Sequence, residues 1–194
     1  MKRQLLIFIL TVLFSVAWAQ EKSADTGNAK YAFSFSPQYL IVGGMRLNFD
    51  QAISDKLWLT LAPTFYYMDN SYMWEPESTS FVGVGAAANL RYFPTGKGVY
   101  ALCGLNYRFL DADYVKYGQT EENEAKFNTS GFDVAFGYQF FLVEQLFMDM
   151  YLGWGFRYST QATVEEDVYW SDMILDLAYS GFLPVAGVRI GFGF

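Results

Sequence analysis

The chain has no histidine. That absence removes imidazole general-base catalysis and His-ligated metal centres together. It has a single cysteine, Cys103, so no intramolecular disulfide can form. Cys103 falls on the apolar side of a strand-like pattern and reads as a small buried hydrophobe. Charge is also scarce, with Asp, Glu, Lys and Arg making up 17% of 194 residues. Beyond the first 19 residues there is no apolar run long enough for a membrane helix, which excludes a helical membrane protein. Aromatics fill the space these absences leave. Phe contributes 19 residues and Tyr 15, and aromatics together reach 20%.

The N-terminus is distinct from the rest of the chain. Lys2 and Arg3 precede an apolar stretch from Leu5 to Val16, then Ala17-Trp18-Ala19. A basic start, a short apolar core and a small-x-small end describe a secretory signal peptide over residues 1–19, cleaved after Ala19. The rival reading is a membrane anchor, for which the run is short. No cysteine comes after it in a position to be lipidated. Residues 20–29 are small and polar and read as a flexible lead-in.

From residue 30 the chain alternates. The clearest stretch is the last: Phe182, Pro184, Ala186, Val188, Ile190, Phe192 and Phe194 are apolar at every second position. A period of two places them on one face of a strand. Seven earlier segments repeat the pattern, beginning near Tyr31, Met45, Leu57, Val82, Val99, Phe132 and Met148. Most reach the 9–11 residues that a tilted strand needs to cross a bilayer. The connections run short, tight, long, tight, long, tight, long, and the first, around Pro37 to Gly44, is short. Ser54-Asp55, Pro94-Thr95-Gly96-Lys97 and Val143-Glu144-Gln145 are tight. Asp69–Ser78, Asp111–Asn128 and Ser159–Ser180 are long. The fold class expected is all-β: an eight-stranded antiparallel up-and-down transmembrane barrel over residues 30–194, with tight periplasmic turns and long outer loops.

The charges set the phase. Arg46, Asp50, Arg91, Arg108, Asp133, Asp149, Arg157 and Arg189 all fall on the parity opposite the large apolar side chains. A Lys or Arg facing mid-membrane lipid costs roughly 2–4 kcal/mol, so this parity is the lumen. An eight-stranded barrel has an interior just wide enough for side chains to fill. The eight charges are therefore expected to plug it as a paired network; an ion path is the alternative. A soluble barrel with an apolar interior is the rival fold. It would force eight charges outward and bury a row of Phe, Leu, Trp and Tyr.

The long connections are acidic and aromatic. They hold thirteen Asp and Glu against Lys116 and Lys126, and loss of Lys2 and Arg3 with the signal takes the formal net charge from −7 to −9. Nucleic acid is a poor partner for such a surface. Glu121-Glu122-x-Glu124 and Glu165-Glu166-Asp167 could meet a divalent cation, although neither matches an EF-hand and a solvated loop accounts for both. Tyr72, Trp74, Tyr114, Tyr117, Tyr169 and Trp170 are candidate loop contacts for a partner. Residues 168–179 read as a short amphipathic helix over the outer mouth, or else as an extension of the last strand.

The chain resembles the small outer-membrane β-barrel proteins of Gram-negative bacteria, the OmpX/OmpW/PorT-like group. The resemblance is carried by the signal peptide, by Phe35-Ser36-Pro37-Gln38-Tyr39-Leu40 leading into Gly43-Gly44-Met45-Arg46-Leu47, and by the terminal Gly191-Phe192-Gly193-Phe194. It implies export by the Sec pathway, residence in the outer membrane among its lipids, and an assembly signal at Val188, Ile190, Phe192 and Phe194 read by the barrel-assembly machinery. Barrel enzymes of this class look as if they need His with Ser or Asp, and this chain has no His. No catalytic residue, cofactor or metal is expected. The functional expectation is a non-enzymatic barrel with a closed lumen, serving envelope structure or binding a protein partner through its outer loops. The alternative is a narrow pore or carrier for small hydrophobic molecules.

Overall fold

The computed structural model describes residues 29–69, 79–115, 122–143, 145–161 and 180–194. The expected signal peptide, nearly all of the lead-in, the Glu165–Asp167 cluster, the helix expected at 168–179 and the loop residues Tyr72, Trp74, Tyr117, Tyr169 and Trp170 lie outside them. Eight strands form: β1 (Tyr31–Phe35), β2 (Gly44–Ser54), β3 (Leu57–Asp69), β4 (Thr79–Tyr92), β5 (Val99–Val115), β6 (Glu122–Phe141), β7 (Leu146–Gln161) and β8 (Gly181–Gly193). Each pairs antiparallel with its sequence neighbours, and β8 closes on β1. The barrel is thus up-and-down and without crossovers.

The tight turns gather at one end. Ser54 Oγ accepts from Leu57 N at 3.2 Å in the β2–β3 turn. Gly96 and Gly98, both at φ +79°, turn β4 into β5. A left-handed backbone suits glycine because it has no Cβ to clash. The start of β1 meets the end of β8 here, where Phe194 O accepts from Lys30 N at 3.1 Å and Tyr31 N at 3.0 Å.

One expectation about strand length changes. The acidic stretch Asp111–Asn128 is mostly strand: β5 runs to Val115 and β6 starts at Glu122, paired throughout. Asp111, Asp113, Glu124 and Lys126 sit on the outward face of this extended hairpin. Lys126 Nζ lies 3.4 Å from Asp111 Oδ2. Alternation of acids with Leu110, Ala112 and Phe127, all buried, is a strand signal that the acids obscured. Tyr114 belongs to this hairpin, opposite Asn123, rather than to a loop. At the other extreme, β1 has five residues and pairs with β8 at only four positions, Ala32↔Gly193 to Phe35↔Ile190. Among the described residues, β8 from Gly181 to Arg189 is laddered to β7 alone. A 3₁₀ segment, Pro37–Val42, stands where β1 would have continued. Pro184 lies in this one-sided stretch, whereas Pro63 is paired with Ala86.

The outer wall is apolar. Phe49, Leu61, Phe65, Val84, Leu105, Phe136, Leu152, Trp154, Phe182 and Ile190 all face outward and are exposed. Tyr67, Tyr107 and Tyr158 rim the belt at the long-connection end, and Tyr31, Tyr92 and Phe194 at the turn end. A belt of this extent is incompatible with water, and two aromatic rims mark membrane interfaces. The chain is a membrane-spanning barrel. Cys103 faces outward in the belt and is exposed rather than buried, because its parity is that of the lipid side. Phe140 departs the other way. Its parity is outward, yet it is buried at the turn end beside Tyr138.

Glycines on the inner wall make room for aromatic rings across the ladder. Tyr100 opposes Gly137, and Tyr151 opposes Gly187. A Cβ on Gly137 would lie 2.2 Å from Tyr100 Cζ, and one on Gly187 would lie 2.4 Å from Tyr151 Cζ. Each glycine is a socket that lets a large ring fold along the wall of a narrow cylinder. Gly137→Ala should therefore destabilise the folded barrel by about 1–3 kcal/mol, the usual range for overpacking. Urea unfolding in detergent, followed by the gel-shift of the folded form, measures this. Gly193→Ala, whose Cβ would meet nothing nearer than 3.5 Å, should behave as wild type.

A charged lumen in two tiers as the candidate functional site

All eight charges expected in the lumen point inward. Every arginine beyond Arg3 is among them, while the described lysines, Lys30, Lys56, Lys97 and Lys126, lie at strand ends, in turns or on the outer face. The division has a physical reason. A guanidinium is weakly hydrated and offers a planar fork of donors, so it tolerates burial against carboxylates better than an ammonium does.

The charges form two tiers along the axis. The lower tier, near the turn end, holds Asp50 of β2, Arg91 of β4, Asp149 of β7 and Arg189 of β8. Arg91 Nη2 lies 2.8 Å from Asp50 Oδ1, and Nη1 lies 3.1 Å from Asp149 Oδ2. Arg189 Nη1 lies 3.2 Å from Asp50 Oδ1, and its Nη2 meets Asp149 Oδ2. Arg91 and Arg189 come from strands on opposite walls. The ring of four ion pairs therefore spans the lumen, and it is charge-balanced.

Neutral groups complete it. Thr60 donates to Asp50 and accepts from Arg91 Nε at 3.1 Å. Tyr100 donates to Asp149 Oδ1. Below, Phe93 and Tyr100 pack at 5.0 Å between centroids, with the Arg91 guanidinium 5.6 Å from each ring centre. Phe147 is also fully buried at this level. Asp149 is 0% exposed and Arg91 1%. Buried charges survive only when paired and hydrogen-bonded, and here every one is.

The upper tier is built differently. Arg46 of β2, Arg108 of β5, Asp133 of β6 and Arg157 of β7 surround a cavity of about 50 Å³. Arg157 Nη1 lies 2.6 Å from Asp133 Oδ1, and Asn106 Nδ2 donates to Asp133 Oδ2 at 3.0 Å. Arg46 donates to the hydroxyl of Tyr39, and its guanidinium carbon lies 5.2 Å from that ring's centre. Arg108 and Tyr66 line the same cavity. A second cavity of about 40 Å³ separates the tiers, bounded by Asn48, Asn89, Tyr151 and Arg189 as well as Arg46 and Arg157.

Sequence reasoning missed Tyr39, because it lies in the connection rather than in a strand. Pro37 starts the 3₁₀ segment and Gly43, at φ +64°, ends it. That single turn carries Tyr39 into the mouth of the lumen and leaves Leu40 and Ile41 facing out. Gln38 from the same turn accepts from Val188 N at 3.4 Å, and so links it to β8. Of the proposed terminal signal, Ile190, Phe192 and Phe194 face outward and exposed, and Val188 shares their parity but is half-buried. The candidate loop contacts are not brought together within the described residues.

The barrel is similar in structure to a major outer membrane protein from Thermus thermophilus, at 15% identity and a TM-score of 0.55, over 86% of this chain and 99% of that one. Neisserial surface protein A also matches, at 15% identity and a TM-score of 0.45, over 84% and 93%. So does the N-terminal β-barrel domain of Pseudomonas aeruginosa OprF, at 12% identity and 0.43, over 86% and 98%. The likeness to the Thermus protein shows the fold. No family model and no curated protein matches the chain in sequence.

Removing one partner from a buried ion pair typically costs about 3–5 kcal/mol, because the survivor is left uncompensated. Asp149→Ala should lower unfolding stability by that order in a urea titration of the detergent-folded protein. Asp111→Ala, on the exposed hairpin, should stay within about 0.5 kcal/mol of wild type.

Proposed function

We propose that this chain, which has the fold of the small eight-stranded outer-membrane barrels, is a non-enzymatic integral outer-membrane protein with a lumen closed to ions. It acts at its loop end, in envelope structure or as a binding platform for a protein partner. The observation that carries this reading is the balanced ring of Asp50, Arg91, Asp149 and Arg189. Four charges from opposite walls meet on the axis, with Phe93, Tyr100 and Phe147 beneath them. An ion entering the lumen would have to break at least two buried pairs to pass.

Function is thereby moved from the lumen to the ends. The β5–β6 hairpin supports a contact role, since its outward face continues past the Tyr107 rim as a paired, acid-rich ribbon. The outward row of Ile190, Phe192 and Phe194 at the closing edge fits recognition by the barrel-assembly machinery. A carrier of small hydrophobic molecules is disfavoured by the lining. The lumen beside the one-sided stretch of β8 carries Arg46, Asn48 and Arg189, which suit no apolar cargo.

Two measurements test the proposal. In planar bilayers the purified barrel should give no stable conductance steps; reproducible steps would sink the closed lumen. In outer-membrane fractions the unheated protein should migrate differently from the boiled protein on a gel. Recovery in the soluble fraction without that shift would overturn the address. Recovery from native membranes with a stoichiometric partner supports the platform, and a lone monomer counts against it.

A further inference from the structure

The wall of the barrel is not strand all the way round. β1 stops at Phe35, and from Pro37 to Val42 the 3₁₀ segment stands between β2 and β8. The even-numbered residues leading to Phe194 turn their backbone toward this seam. Phe194 N donates to Tyr31 O at 2.8 Å, whereas Gly193 N turns the other way, to Gln145 O. Along an antiparallel strand that direction alternates residue by residue. Past Ile190, whose partner is Phe35, the seam-side residues are Val188, Ala186, Pro184 and Phe182. Pro184 has no N–H to offer. Val188 N donates to a side chain, Gln38 Oε1, at 3.4 Å. Gln38 thus stands where a strand carbonyl would have been.

The 3₁₀ segment is fixed to the barrel at its two ends and by side chains. Ser36 N donates to Arg46 O at 3.1 Å before it, and Tyr67 N donates to Gly43 O at 2.6 Å after it. Between them Arg46 donates to the Tyr39 hydroxyl, and Gln38 reaches Val188. The turn's own end bonds are long, with Tyr39 N to Ser36 O at 3.2 Å and Gly43 N to Leu40 O at 3.3 Å. Hydrogen bonds of a 3₁₀ turn have poorer geometry than those of longer regular elements, and such a turn often marks a hinge. Leu40 and Ile41 face outward and are exposed. Behind the segment lies the cavity of about 40 Å³. Tyr39 and Arg46 edge it on one side of the seam, Val185 and Arg189 on the other.

We propose that residues 36–43 form a strap that opens as a unit while the strand ladders stay closed. Pro37 and Gly43, the latter at φ +64°, are its hinges. Gln38 is its latch on β8, and Tyr39 is the peg that seats it on Arg46. Opening uncovers the small polar cavity behind Tyr39 from the side of the barrel. It leaves the ring of Asp50, Arg91, Asp149 and Arg189 shut. Proteins open locally where backbone hydrogen bonds are few, well before they unfold globally. The strap is independent of whether the lumen conducts and of whether the loops engage a partner.

Amide exchange of the mature protein folded in dodecyl maltoside, read residue by residue by NMR, tests this. In wild type the hydrogen-bonded amides of Tyr39, Gly43 and Val188 should exchange about a hundredfold faster than that of Val134, whose strand is paired on both sides. Gln38→Met keeps the side-chain length and removes the acceptor. It should speed Val188 by a further factor of about ten, the scale of one lost hydrogen bond, and leave Val134 unchanged. Gln38→Glu, which keeps an acceptor oxygen, should hold Val188 near its wild-type rate. Tyr39→Phe, which removes the hydroxyl bonded to Arg46, should speed Gly43 and leave Val134 unchanged. Protection of Tyr39, Gly43 and Val188 equal to that of Val134 in wild type overturns the strap. A Val188 rate that ignores Gln38→Met overturns the latch. Acceleration of Val134 together with the strap amides means the whole barrel has loosened, and overturns local opening. Should Gln38→Met fail to give the gel-shift of the folded form, the wild-type comparison with Val134 decides.

Discussion

Asp50, Arg91, Asp149 and Arg189 meet buried inside the lumen, and the rest of the barrel is arranged so that they can. Eight strands enclose a cylinder too narrow for bulk solvent. Any charge on the inner wall must therefore be answered by another inner-wall charge, usually from a strand that is not its neighbour. Arg91 and Arg189 stand on opposite walls and share both carboxylates. The ring acts as a cross-brace between those walls. Tyr100 and Thr60 take the remaining lone pairs, and the Gly137 socket exists so that Tyr100 can reach Asp149.

Charge then grades along the axis. The turn end is neutral and sealed with aromatics. Above it the lumen wall carries Arg46, Arg108, Arg157 and Asp133. The loop end is acidic, with Asp111, Asp113 and Glu124 on the outward face of the projecting hairpin. A pore would be expected to keep one sign, or polar neutrality, along a continuous path. Here the balanced ring lies across that path.

The membrane side is governed by a simpler rule, which is why it was legible. A lipid-facing position excludes charge, and the pleat forces every second residue to that face. That rule yields the phase of eight strands, the inward direction of all eight charges and the tight turns. Where the rule is silent, expectation and structure part. Asp111–Asn128 was legible as acidic but not as strand, because above the membrane the outward face is wet and alternation no longer means apolar against polar. Cys103 looked buried because it keeps apolar company, but that company faces lipid. Tyr39 carries no periodic signal at all; only the 3₁₀ turn between Pro37 and Gly43 brings it over the lumen.

What the sequence by itself determined is therefore parity: which residues face in, which face out, and how many times the chain crosses. That information is local, because successive side chains of a strand point to opposite sides whatever the strand is paired with. What only the tertiary structure decided is partnership. That Arg91 answers Asp50 and Asp149, while Arg46 meets Tyr39 and Arg157 meets Asp133, depends on the stagger with which the sheet closes. Closure sets the height of each residue on the axis, and it is a property of all eight ladders together. Parity is written residue by residue, whereas height on the axis exists only once Phe194 has met Tyr31.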